Sequence, residues 1–272
     1  MAVYFISDAH FGDKSAQQEK DKVNKFIDFI EHIKGCETLF IVGDLFDFYF
    51  EYHTQIPKSH FAILNILSSL RCSGTKIYYL VGNHDYWVGE LFTQTLGIEV
   101  CKKPLELTIQ DRKLFIAHGD ELSKFDPMRW LLKNKIAISL FYCLHPDLAY
   151  LIGRWVSKLS AKTHKVFSFD KLYEIVNQKF ANGFDAIIFG HIHSPKHIQS
   201  DVRCQMSRVG AGPLTRTTDV RKQDFLLIGD WVKHFTYIQL QDGEFKLLQW
   251  QQEVQPQPSD EPLSQPYLPS NT

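Results

Sequence analysis

Short apolar runs alternate with amphipathic stretches through the first 119 residues. VYFI, TLFIV, IYYLV and LFIA, and later AIIF, have the length and the β-branched and aromatic content of buried strands. Between them the period changes to that of helices. KVNKFIDFIEHIK sets Val23, Phe26, Ile27 and Ile30 on one face, and HFAILNILSSLR predicts a second helix. Strand and helix in alternation imply βαβ units. From about residue 180 strands return: FDAIIFGHIH, a hairpin region around CQMSRVG, FLLIGDW, and FTYIQLQDGEFKLLQW with a DG turn between two strands. Residues 251–272 are rich in Pro, Gln and Ser and predict a disordered tail, leaving 1–250 as one domain. No repeat of fixed period is present.

The polar residues that interrupt this pattern fall just past the apolar runs, where a chain leaves a sheet and where open α/β folds place ligands. They are Asp8 and His10 in FISDAH, Asp44 in IVGDLFD, Asn83 and His84 in LVGNHDYW, His118 in IAHGD, and His191 and His193 in IIFGHIH. Oxygen and imidazole donors without cysteine suit Mn²⁺, Zn²⁺, Fe²⁺ or Co²⁺ and exclude a thiolate site. A carboxylate bridging two cations roughly 3.5–4 Å apart makes a clamp for in-line displacement at phosphorus. Asp44 is the natural bridge, since Gly43 lets the backbone turn closely there. Asp8 and His10 lie two apart, as do His191 and His193, so in extended segments each pair faces one side. His84 follows Asn83 directly and points elsewhere; at the edge of such a site it can donate a proton or a charge-assisted hydrogen bond to a phosphoryl or leaving oxygen. Asp85 either orients His84 or caps the following turn.

Residues 121–170, between His118 and the GHIH pair, are unusually apolar and aromatic for an insert. Two or more helices are expected, parted near His145-Pro146. The first half gathers Trp130, Leu131, Leu132, Ile136, Ile138, Leu140, Phe141 and Tyr142. The second, DLAYLIGRWVSKLSAK, carries Leu148, Leu151, Ile152, Trp155 and Leu159 at helical spacing. Arg154, Lys158 and other cations punctuate it. Such a surface suits a phosphorylated amphiphile or an anionic bilayer; equally, it suits a helical cap packed on the core with its lysines reaching water.

With 272 residues, 44% of them hydrophobic, the chain can bury a sizeable single-domain core. A net charge of -1 gives no reason to expect nucleic acid as a partner. The five cysteines are scattered without CxxC, as in a reducing compartment. Asp8 and His10 break the first apolar stretch and no basic leader precedes it, so neither a signal peptide nor a spanning helix is expected.

DAH, GD, GNHD, HGD and GHIH, in that order, closely resemble the calcineurin-like metallophosphoesterases. The resemblance implies an α/β fold, a four-layer α/β/β/α sandwich, here with a helical cap insert. It implies one ion held by Asp8, His10, Asp44 and His193, and another by Asp44, Asn83, His118 and His191. His84 would stabilise the transition state or act as acid, with Asp44 and His84 as the catalytic pair. GDLFDFYFEY, GNHDYW, HGDEL, the HPDLAYLIGRWVSKLSAKTHK helix and IGDWVKHFTY resemble more narrowly the UDP-2,3-diacylglucosamine pyrophosphohydrolases of lipid A synthesis. That likeness implies cleavage to 2,3-diacylglucosamine 1-phosphate and UMP with Mn²⁺, on the cytoplasmic side of the inner membrane as a peripheral protein. Acyl chains would enter the cap, and Asn83, His84, Arg154, Ser157 and Lys158 would contact the diphosphate and sugar. Many members read GNRD where this chain has GNHD, and HGD-x-L-C-T-D-D where it has HGDELSKFD. A nuclease, a general phosphodiesterase and a non-catalytic scaffold of the same fold are the alternatives. A nuclease would be expected to carry a basic track, and a scaffold has no chemical need for all seven ligands.

Overall fold

The computed structural model describes residues 1–120, 134–163, 169–203 and 220–250. Strands β1 (Val3–Ile6), β2 (Thr38–Val42), β3 (Lys76–Leu80) and β4 (Glu99–Cys101) run parallel, and α1 (Ala16–His32) and α2 (Phe61–Cys72) connect the first three. Two later strands extend this sheet antiparallel at β1, namely β10 (Thr236–Gln241) and β11 (Glu244–Gln249), in the order β11-β10-β1-β2-β3-β4. Their turn uses Asp242 and Gly243, both with positive φ (53° and 78°), as the DG dipeptide predicts. The second sheet comprises β5 (Leu105–Ile109), β6 (Arg112–Ala117), β7 (Ala186–Phe189), β8 (Lys196–Arg203) and β9 (Val220–Leu227), ordered β5-β6-β7-β9-β8.

Alternating side chains assign each strand to two layers. Val3, Phe5, Phe40, Val42 and Leu80 of the first sheet meet Leu114, Ile116, Ile188 and Leu226 of the second in one buried cluster. On the far side of the first sheet, Ile6, Leu39, Ile41 and Tyr79 pack against Phe26, Phe29 and Ile30 of α1 and Ile63, Leu67 and Leu70 of α2. The second sheet's outer face, with Phe115, Ile187 and Phe189, is covered by Leu172 and Val176 of α5 (Phe169–Ala181). Strands buried on both faces read as continuous apolar runs, which is why VYFI, TLFIV and AIIF show no polar alternation. The result is the four-layer α/β/β/α sandwich.

The described part of the insert is two helices, α3 (Lys135–Cys143) and α4 (Pro146–Thr163), parted where His145-Pro146 predicts. The Asn134 side chain caps α3 by accepting from the Ile136 amide at 2.9 Å. Phe141 and Ala149 bury against Phe48 and Phe50 of the GDLFDFYF segment, with Trp87 beside them. Gly153 permits the close approach, since a Cβ there would run into the Phe48 ring. At about 1.5–3 kcal/mol per buried aromatic or aliphatic side chain, this small cluster suffices to hold the cap down. Ile136, Leu140, Leu148, Leu151 and Trp155 stay outside it, and the last two are 64% and 67% exposed. The apolar positions of α4 therefore divide between two faces, Ile152 inward and Leu148, Leu151 and Trp155 outward. No helix among the described residues is long and apolar enough to cross a membrane. The start of the insert, the hairpin region around CQMSRVG, the tail at 251–272 and the side chains of Ser157, Lys158 and Leu159 lie outside the described residues.

Candidate metal centre

Five loops converge at the carboxyl ends of β1, β2, β3, β6 and β7, and their backbones are unusual. Asp8, His10, Asp44 and His191 all have positive φ, at 54°, 45°, 52° and 61°. Left-handed conformations are costly for residues with a Cβ, and they persist where the surroundings over-determine them, commonly at functional sites. Here the D-x-H spacing does not act through an extended segment, as the sequence predicts. Instead the chain turns sharply at each ligand, and backbone bonds fix the result: the Asp8 amide donates to the Gly43 carbonyl at 3.1 Å and the His10 amide to the Asp44 carbonyl at 3.0 Å. Glycine is needed at the tightest points. A Cβ at Gly43 would strike the His118 ring, and one at Gly82 the Asp44 carboxylate.

Asp44 lies at the centre. Its Oδ1 accepts the His84 amide at 2.9 Å, leaving Oδ2 to face three imidazoles. His118 Nε2 lies 3.3 Å from Oδ2, His10 Nε2 3.9 Å and His84 Nε2 4.0 Å. To one side, Asp8 Oδ1 is 3.3 Å from His193 Nε2 and 3.8 Å from His10 Nε2. To the other, His118 Nε2 is 3.3 Å from Asn83 Oδ1, and the His118 and His191 rings meet edge to face at 5.1 Å. Asp8, His10 and His193 thus form one group of donors and Asp44, His118 and His191 a second, with His10, Asp44 and His84 a third that overlaps both, each close enough to hold a cation. All seven sequence-predicted ligands come together.

The ring orientations are set by outer contacts. His118 Nδ1 donates to the Val42 carbonyl at 2.8 Å, which leaves Nε2 for the centre. His84 does the same through the Asp47 carbonyl at 2.8 Å. Asp8 Oδ2 accepts from the Ser7 hydroxyl and from the His191 amide, the latter at 2.8 Å, so Oδ1 remains for the site. Asp85 reaches backward instead of to the following turn: it accepts from the Gly82 amide at 2.8 Å and the Leu45 amide at 2.7 Å, tying the GNHD loop to the GD loop.

Two side chains that pattern reading passes over support the site. Asp47 supplies the carbonyl that orients His84, and its carboxylate lies 3.9 Å from His10 Nδ1. Lys22, 3% exposed on α1, donates to the carbonyls of Ala9 (3.0 Å) and His10 (2.8 Å) and to Asp13 (2.7 Å), clamping the D-x-H loop from beneath. The available signal for Lys22 is its place on the apolar face of α1, four residues before Phe26.

Charge balance fits a cation site. Burial pushes the Asp8 carboxyl upward, but His10 and His193 outweigh it and hold it far below the usual carboxylate range. Asp44 is likewise held low, against burial, by His118 and His84. Burial depresses His193, yet Asp8 beside it prevails and pushes it up to about 9. The buried Asp8 Oδ1 and Asn83 Nδ2 make no hydrogen bond, so Asp8 in particular keeps donor capacity for an ion. Oxygen and imidazole donors in this number suit a divalent metal of the first transition row.

The profile of the calcineurin-like phosphoesterase family matches residues 1–195. The chain is 26% identical over 246 residues to the UDP-2,3-diacylglucosamine hydrolase of Porphyromonas gingivalis, covering 86% of this chain and 92% of that one. It is 26% identical over 258 residues to the protein of the same name from Haemophilus influenzae strain PittGG, covering 89% and 96%. Among solved structures, Vps29 of Entamoeba histolytica in complex with zinc superposes with a TM-score of 0.40 at 14% identity, over 91% of this chain and 90% of the other.

Proposed function

We propose that this chain, which belongs to the calcineurin-like phosphoesterase family, hydrolyses the pyrophosphate of UDP-2,3-diacylglucosamine to 2,3-diacylglucosamine 1-phosphate and UMP. The observation that carries this reading is a complete ligand set beside a helical cap with an exposed apolar face. Asp8, His10, Asp44 and His193 would hold one ion, and Asp44, Asn83, His118 and His191 the other, with Mn²⁺ as the metal. When bound, two such cations supply Lewis acidity for in-line displacement at phosphorus.

The chain's own residues do the rest. His84 keeps Nδ1 on the Asp47 carbonyl, so its Nε2 faces the reacting phosphoryl group and, when protonated, donates to an equatorial or leaving oxygen. Arg154 lies on α4 with its Nε buried and without a hydrogen-bond partner, and it is assigned to the second phosphate. Ser157 and Lys158, one turn further on, are assigned to the diphosphate and sugar. Leu148, Leu151 and Trp155 present an apolar face to acyl chains; at ~0.8 kcal/mol per buried CH₂, even partial burial dominates affinity for lipid over a soluble nucleotide. The same face, with the cations of the insert, would rest on the inner leaflet of the inner membrane from the cytoplasm.

The test is to incubate the purified protein and Mn²⁺ with UDP-2,3-diacylglucosamine, UDP-glucose and bis-p-nitrophenyl phosphate. UMP released from the lipid substrate alone supports the assignment. Equal turnover of all three makes a general phosphodiesterase the better reading. Leu151→Ser with Trp155→Ser should then lower kcat/KM for the lipid by roughly tenfold or more and leave the soluble diester unchanged. Both side chains are exposed, so loss of fold does not confuse the comparison.

A further inference from the structure

The metal centre has two unlike flanks. On the His10 and His84 side, Asp47 leads directly into Phe48 and Phe50 and so into the cap. On the His118 side, the described residues place no cap helix but leave a pocket of about 220 Å³ between the ends of β3 and β6. His118 and Gly119 form its inner end. Leu80, Phe115 and Ile175 give it apolar walls, and Lys102, Lys103 and Lys171 are among its lining residues. Lys102 is steadied over the Tyr86 ring, 5.5 Å from its centroid. Asp120 adds a carboxylate beside the lysines.

We infer that this pocket takes the nucleotide half of the substrate, a pyrimidine nucleoside 5′-monophosphate, while the cap takes the acylated sugar. The inference rests on the pyrophosphate-hydrolase reading above and adds to it which end of the substrate lies where. A flat base fits between apolar walls, a carboxylate accepts from ribose hydroxyls, and lysines suit the phosphate of the released nucleotide, a dianion at neutral pH. Neither the walls nor Asp120 would serve a bare phosphate. A pyrophosphate joins an acylated half to a nucleotide half, and these flanks differ in the same way across the Asp44 carboxylate. The substrate therefore has one productive orientation, with the nucleotide on the His118 side.

The experiment uses the full-length, metal-loaded protein and titrates UMP and inorganic phosphate by calorimetry. Two variants avoid the ligands and the cap: Lys102→Ala with Lys103→Ala, and Ile175→Trp, which fills the apolar wall. The lysine pair should weaken UMP roughly tenfold or more, and Ile175→Trp should weaken UMP while sparing phosphate. In steady state, KM for UDP-2,3-diacylglucosamine should rise in both variants while kcat and turnover of bis-p-nitrophenyl phosphate hold. Wild-type protein that fails to bind UMP, unchanged UMP affinity in both variants, or equal weakening of UMP and phosphate by Ile175→Trp would each overturn the assignment. If the lipid substrate is not cleaved at all, the proposed function fails, and the UMP titrations still decide the pocket.

Discussion

Lys22→Met tests how the D-x-H loop is held. The ammonium of Lys22 is buried and meets the Ala9 carbonyl, the His10 carbonyl and Asp13 at 3.0, 2.8 and 2.7 Å. Methionine keeps most of the volume and removes every donor. Asp13 is 21% exposed at its side chain and can be resolvated, and the His10 carbonyl keeps the Asp13 amide at 3.3 Å, so the Ala9 carbonyl bears the main loss inside the fold. An unsatisfied buried acceptor costs about 1–3 kcal/mol and the lost charge-assisted bond to His10 adds roughly 1–2 kcal/mol, so the substitution should cost roughly 2–5 kcal/mol. That is a large part of a net stability of about 5–15 kcal/mol. For a chain of this size it lowers Tm by roughly 5–15 °C. The loss should also reach the metal centre, because the clamped carbonyl belongs to His10 and the strained backbone at Asp8 and His10 depends on its surroundings. Thermal unfolding in EDTA reports the first effect, and Mn²⁺ titration by calorimetry the second. Saturating metal should restore part of the lost Tm, since an ion that binds only the folded chain stabilises it. A variant that melts within about 2 °C of wild type in EDTA and binds metal with unchanged affinity would refute the clamp.

Asp44→Ala should remove both metal ions and nearly all turnover, because among the described residues no other carboxylate faces both donor groups; two retained equivalents by elemental analysis would count against the shared-ligand arrangement. His84→Ala should retain metal and lower kcat by roughly 10²–10⁴; a loss under about threefold in a metal-loaded variant would make His84 structural. His60 is buried against Phe46 and Tyr49, neither ring nitrogen has a hydrogen bond, and burial pushes its pKa down to about 3. The unfolded chain takes up that proton near pH 6.5 and the folded chain only near 3, so stability is full above about 6.5 and falls as pH drops between the two values, by about 2 kcal/mol at pH 5. His60→Phe should remove that share of the loss between pH 7 and pH 5 in denaturant titrations, and parallel pH profiles for the two proteins would refute it.

The elements and the candidate ligands were legible in the sequence because each depends on local chemistry. Runs such as TLFIV and AIIF have to be buried on both faces, Asp242-Gly243 suits only a tight hairpin turn, and Pro146 parts α3 from α4. The antiparallel partner of LFIA, Leu105–Ile109, was less visible, since its turn at Gln110 and Asp111 adopts positive φ (49° and 61°) without glycine. The seven candidate ligands could be nominated from residue type, order and the family resemblance, since divalent cations favour those donors and strand ends are where open sheets expose them. How they converge could not. The sharp left-handed turns at Asp8, His10, Asp44 and His191 follow from backbone bonds to residues tens of positions away. The outer partners of the site are likewise tertiary: Lys22 resembles any helix lysine until α1 is set beneath the His10 loop, and Asp47 acts partly through a carbonyl, which every residue has. The apolar stripe of α4 could not divide itself between a buried face and an exposed one, because periodicity records which residues are apolar and not what they meet. That division was decided by Gly153, whose missing side chain lets α4 settle onto Phe48 with Ile152 turned inward and Leu151 and Trp155 left outside.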